Sequence, residues 1–218
     1  VPNGLTKGLK IKSTTKELPP DGNPIKILYL SNLIPSKGYL TLLKACKKLA
    51  EESNIEFVCD YCGSFIQTIV DGPKIDAKEK LTEFQNLIEA NNLSERVYYH
   101  GTVSGKVKEQ MFSQAHIFVL PTRFLWEGQP LSIIEALAFS TPIISTPYRG
   151  IPEEVLDGYN GYLIPPDDPE SLFQVIKKLV KNPENYRHMS IASRKHFEEN
   201  FTREVHIQRL IELICNGQ

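Results

Sequence analysis

The chemistry in this sequence is concentrated in two carboxylates at a fixed spacing, Glu127 and Glu135. They form an E-x7-E pattern inside the stretch Ala115 to Pro147, AHIFVLPTRFLWEGQPLSIIEALAFSTPIISTP. Two carboxylates first invite the reading of a glycoside-hydrolase acid/base pair. Along a continuous helix, eight residues separate them by about 12 Å and roughly 80°, beyond the about 5–9.5 Å such a pair needs. Unless the loop folds back, each glutamate therefore serves a different part of one elongated ligand. An anionic group bound between them would meet the free N–H groups and the dipole of a helix N-terminus. A nucleoside diphosphate with a polar group at each end has that shape.

The elements that must position these groups follow from periodicity. The apolar, β-branched run His116 to Leu120 reads as a buried strand, as does Pro142 to Ser145. Between them lie a loop, Pro121 to Gly128, and a helix beginning near Gln129 or Pro130, with Leu131, Ile134 and Ala138 on its apolar face. Upstream, Ile25 to Leu30 reads as a strand that feeds a helix carrying Tyr39, Leu42, Leu43, Cys46, Leu49 and Ala50. The loop between them, Ser31 to Gly38, lies at the carboxyl end of a strand, where open α/β sheets bind ligands, and Lys37 is its one cation. A lone lysine at a loop tip is ordinarily a solvated one.

The same alternation continues. Ile55 to Cys59 and Arg96 to His100 read as strands, and Leu81, Phe84, Leu87 and Ile88 mark a helix between them. Ser104 is placed to cap a helix carrying Val107, Met111 and Phe112. Asp157-Gly158 and Asn160-Gly161 read as turns with positive φ before a last strand, Tyr162 to Ile164. Pro165 to Pro169 then stops that strand and caps a helix, and two amphipathic helices follow. The pattern predicts an α/β fold: a doubly wound parallel sheet, Rossmann-like, with right-handed crossovers, read as a single domain over residues 1–218.

A formal net charge of −1 and 41% hydrophobic composition leave no nucleic-acid footprint and enough material for a sizeable core. No apolar run approaches the length of a membrane span, and no signal-peptide pattern opens the chain. Because the first residue is Val1, the chain is expected to be a piece of something longer. Four cysteines make no disulfide framework at this length. Cys59 to Cys62 spells C-x-x-C without a second pair, so reduced, largely buried thiols and a cytoplasmic location are expected. His100, at a strand end, is assigned a structural role, and Asp71 and Asp76 a solvated surface. Gly-x-Gly-x-x-Gly is absent, which argues against a dinucleotide oxidoreductase. Asp-x-Asp is absent too, and no metal is expected.

Taken in order, Val1-Pro2-Asn3-Gly4, Ser36-Lys37-Gly38, His100-Gly101-Thr102-Val103, Pro121-Thr122, Glu127-Gly128 with Glu135-Ala136, and Asp157 to Gly161 form a specific set. The set resembles the C-terminal, donor-binding domain of retaining group-one glycosyltransferases of the two-Rossmann-domain (GT-B) type. The resemblance covers almost the whole chain. It implies that Lys37 stabilises the departing diphosphate and that Glu127 engages the hydroxyls of the donor sugar. Gly128 and Gln129 would border phosphate and sugar, with Leu131 beside them, and Glu135 would hold the ribose hydroxyls. Gly101, Thr102 and Val103 would pass close to the base. Asn32 stands where the family usually has an arginine, and Arg123 or Arg149 are the candidates to supplement it.

The resemblance further implies a UDP- or GDP-type nucleotide sugar as substrate, no cofactor, and an acceptor-binding N-terminal domain outside this chain. Peripheral membrane association would come through that missing half. The terminal helix would cross back onto it and expose an apolar face in its absence. The domain alone would bind donor but transfer poorly, and cell-envelope polysaccharide assembly is a common setting. Two rivals stay open: a nucleotide-sugar epimerase or hydrolase on the same scaffold, and a non-catalytic α/β interaction domain.

Overall fold

The computed structural model describes residues 2–4, 15–20, 22–66 and 76–216. Its strands are β1 (Ile25–Leu30), β2 (Phe57–Cys62), β3 (Val97–Tyr99), β4 (Ile117–Leu120), β5 (Ile143–Ser145) and β6 (Gly161–Leu163). Its helices are α1 (Tyr39–Glu52), α2 (Ala77–Ala90), α3 (Gly105–Gln114), α4 (Leu131–Ala138), α5 (Ile151–Glu154), α6 (Pro169–Val180), α7 (Pro183–Asn200) and α8 (Arg203–Asn216). All strand pairs are parallel, in the order β3-β2-β1-β4-β5-β6. The doubly wound, Rossmann-like expectation is met. The order reverses between β1 and β4, and the crevice outside their carboxyl ends is where such sheets take ligands.

Burial explains the sequence pattern. Every residue of β4 and β5 is buried, because helices cover both faces, so these strands are apolar throughout and do not alternate. Helix α4 is apolar on nearly every side: Ile133 to Ala138 are all buried, with the sheet beneath and α7 packed beside it. The partner face of α1 buries Leu42, Cys46 and Leu49 and packs on α6.

Several boundaries differ from the sequence reading. Strand β2 begins at Phe57 and runs to Cys62, not from Ile55 to Cys59, because it pairs with the whole of β1, Ile25 opposite Phe57 through Leu30 opposite Cys62. The C-x-x-C pattern thus lies inside a strand, where residues three apart point to opposite faces. Both thiols are buried, and burial pushes Cys62 up to about 12 and Cys59 in the same direction, which makes them poor nucleophiles. Strand β3, Val97–Tyr99, is shorter at both ends than Arg96 to His100, and β6, Gly161–Leu163, begins and ends one residue before Tyr162 to Ile164. Gly158 has the expected positive φ of 76°, but Gly161 does not; it is required because a Cβ there would lie 2.1 Å from the Ile143 carbonyl oxygen.

Ser104 occupies the N-cap of α3 without a side-chain cap hydrogen bond. Asp76 is exposed but caps α2, accepting from the Lys78 amide. Asp71 lies outside the described residues. Leu131 is half exposed instead of facing the core, since it is the first residue of α4 and lies at the open end of the helix.

The segment 15–20 is strapped to the body by Lys16. Its ammonium donates to the carbonyls of Phe112 and Ala115, each at 2.6 Å, and to Thr141 Oγ1 at 2.7 Å, while its amide donates to Ser190 Oγ. Burial pulls this lysine down to about 7. Three acceptors nevertheless take three protons, which only the charged form has.

Candidate functional site

Two loops meet at the switch point. After β1, Pro35–Lys37 form a 3-10 turn closed by Gly38 at φ 78°. Gly38 lies so close to the following loop that a Cβ would sit 2.3 Å from the Pro121 carbonyl oxygen. Only glycine satisfies both the backbone angle and the approach. The Arg123 amide donates to the Ser36 carbonyl at 2.7 Å, tying the turn to the loop after β4. A third segment joins from β5: a Cβ on Gly150 would lie 2.6 Å from the Gly128 carbonyl oxygen. The loop carrying Glu127 and Gly128 is therefore clamped on both sides.

Within this frame Glu127 is 6% exposed; Lys37 Nζ lies 3.5 Å from its Oε1, and Thr122 Oγ1 donates to Oε2 at 2.9 Å. Lys37 also sits 5.1 Å from the centre of the Phe124 ring. Eight residues on, Glu135 has a different partner, Lys108 of α3, at 2.6 Å. The two glutamates are held by two separate lysines. Between them, α4 starts at Leu131 with Pro130 as N-cap and no side-chain cap, and Gly128 has open space where a Cβ would stand. Such an end offers backbone N–H groups to an anion.

The remaining predicted residues lie around this centre with varied commitments. Asn32 is exposed on the rim, and its backbone carbonyl accepts from the buried Tyr29 hydroxyl at 3.2 Å. Thr102 is exposed and shares a 2.7 Å hydrogen bond with Ser64, while Gly101 has φ 66° and Val103 packs partly against the core. Gln129 differs from expectation, because its side-chain oxygen accepts from the Asn3 amide. Residues 2–4 thus pass between this loop and α8, where the Pro2 carbonyl lies 2.6 Å from His206 Nδ1. Arg123 pairs with Asp167, and the Arg149 guanidinium lies 5.7 Å from the centre of the Tyr148 ring, in the turn before Gly150. His100 pairs with Asp60 at 2.6 Å.

Three residues of the site were not foreseen. Lys108 and Phe124 had no spacing rule to mark them. Glu154, the last residue of α5, is wholly buried, and neither carboxyl oxygen has a hydrogen-bond partner. Burial above all, then the charges of Glu127 and Glu153, raises it to about 9, so it is a neutral acid at pH 7. Only its place between the apolar Ile151 and Val155 hinted at it.

A family model described as glycosyl transferases group 1 matches residues 10–196. The chain belongs to this family. The amylovoran biosynthesis glycosyltransferase AmsK of Erwinia amylovora is 25% identical over 195 residues, covering 88% of this chain and 44% of AmsK. Among solved structures, Anabaena Alr3699/HepE in complex with UDP matches with a TM-score of 0.75 at 18% identity, over 89% of this chain and 49% of that one. The C-terminal domain of the group 1 family protein LpcC from Francisella tularensis matches at 0.68 and 16% identity, over 82% and 87%. These structures share the fold of this group 1 glycosyltransferase chain, which spans less than half the length of the curated relatives it matches.

Proposed function

We propose that this chain is the donor-binding half of a GT-B-type enzyme. It would take a sugar from a UDP- or GDP-type donor to an acceptor with retention of configuration, in polysaccharide or glycoconjugate synthesis. The single observation that carries the reading is the start of α4, which has no side-chain cap, with Glu127 and Lys37 at one side and Glu135 four residues, about one turn, inside. In this reading the diphosphate docks on the α4 amides, where the missing Cβ of Gly128 allows close approach. Lys37 leaves Glu127 for the diphosphate and offsets charge as the leaving group forms. Glu127, still held by Thr122, is then free to accept sugar hydroxyls, while Glu135 takes the ribose.

The transition state is oxocarbenium-like, and its main demand is stabilisation of the departing diphosphate, which Lys37 and the helix amides meet without an assigned cofactor. The acceptor is held by a partner domain outside this chain, and the site works on the cytoplasmic side. Among the described residues no helix is long and apolar enough to cross a membrane.

Calorimetry of the chain with UDP, GDP and ADP tests the reading. One of the three binds, and Glu135→Ala weakens that ligand by roughly tenfold or more, the loss of a hydrogen bond to a charged group. Flat traces for all three would discard the site.

A further inference from the structure

Lys108 has no assigned part in the reading above, yet the strongest polar contact of the nucleotide end is its own. Its Nζ lies 2.6 Å from Glu135 Oε1, between side chains that are 26% and 11% exposed. Exposed lysine–glutamate pairs contribute little. This one differs because Glu135 belongs to a helix buried on nearly every side, so the direction of its carboxylate depends on the few groups it can reach. Lys108 is the fourth residue of α3, which begins directly after Gly101 to Ser104. The pair therefore holds the Glu135 carboxylate against the first turn of α3, next to the segment after β3. The Lys108 ammonium has a second neighbour, since its Nζ lies 5.9 Å from the centre of the buried Phe112 ring. One carboxylate oxygen is taken by the lysine; the other, Oε2, is left for a ligand.

We propose that Lys108 is a positioning residue for ribose recognition: it fixes the Glu135 carboxylate so that Oε2 accepts the 2′-hydroxyl of a bound nucleoside diphosphate. The inference rests on the donor-binding reading and adds a specificity to it. A charged acceptor held in one direction distinguishes a ligand that brings a hydroxyl donor from one that lacks it, because the unmet acceptor stays desolvated. Without the lysine, the carboxylate keeps its charge partner only in water and swings among rotamers, so the distinction fades. Lys108 is not a catalytic residue in this account, since it acts through Glu135.

The experiment compares UDP with 2′-deoxy-UDP by calorimetry on the 218-residue chain, or GDP with 2′-deoxy-GDP where GDP is the tighter ligand. The wild-type chain prefers the ribonucleotide by roughly tenfold or more. Lys108→Met brings that ratio close to one through weaker ribonucleotide binding, with the deoxynucleotide affinity nearly unchanged, and Lys108→Arg retains most of the preference. A ratio that survives in Lys108→Met overturns the proposal. So does an equal loss for both ligands, the signature of a phosphate contact or of a tie between helices, and so does a wild-type chain that does not discriminate. Binding of neither nucleotide to the wild type removes the donor-binding reading itself, which is a separate result. Should Lys108→Met not fold, Lys108→Gln carries the same comparison, since glutamine suits a helix and bears no charge.

Discussion

Each carboxylate of this site is defined by its neighbours more than by its own type. Glu127 has a lysine and a threonine, Glu135 has a lysine, and Glu154 has neither. The sequence singled out Glu127 and Glu135 by their spacing, and Lys37 through the resemblance, since a lone lysine in a loop otherwise reads as solvated. It could not carry Glu154, because the helix that buries this residue is a single turn whose packing depends on the loop of Gly128. Glu154 also makes stability depend on pH. Its ordinary value of 4.5 rises to about 9 on folding, so the folded chain holds a proton that the unfolded chain gives up. The stabilisation from that proton is full below 4.5 and is lost as pH climbs toward about 9. Relative to Glu154→Gln, the wild type should lose on the order of 1 kcal/mol per pH unit across this window. Denaturant melts of both proteins at several pH values between 5 and 8 measure it, and parallel stability curves would refute it.

At the scale of elements, strands and helices were legible almost throughout, since buried parallel strands and one-sided helices leave unmistakable periods. The errors lay at ends. Strand β2 was displaced because its limits are set by pairing with β1, a partner not adjacent in the chain. Gly161 was credited to a turn when its true reason is a carbonyl across the sheet. How loops touch was not legible at all, although loops build the site: nothing local in Ser36-Lys37-Gly38 announces Pro121. Gly38→Ala tests that contact. The αL angle costs an alanine roughly 1–2 kcal/mol, and the overlap with the Pro121 carbonyl adds to it, so a loss of at least about 2 kcal/mol is expected in chemical denaturation. Nucleotide binding should weaken in the same variant, as Lys37 and Glu127 move apart.

At the scale of the molecule, the strap through Lys16 joins residues 15–20 to the end of α3, to Thr141 ahead of β5 and to α7. Lys16→Met leaves its acceptors without a donor and should cost on the order of 2–3 kcal/mol, read as a lower denaturation midpoint with an unchanged slope. An unaltered midpoint would mean that water replaces the ammonium. Helix α8 exposes Ile207, Leu210, Ile211, Leu213 and Ile214, the outward apolar face that the sequence led one to expect.

Lys37 leaves the sheet at β1 and Glu127 at β4, neighbours in space that the chain visits only after the whole β2 and β3 excursion. A growing polypeptide that stops short of β4 would own the ammonium and lack everything that orients it. On the donor-binding reading, affinity for the nucleotide would be an all-or-none property of completed topology, and a saturating ligand should shift the entire cooperative transition by RT ln(1 + [L]/Kd), never one part of it.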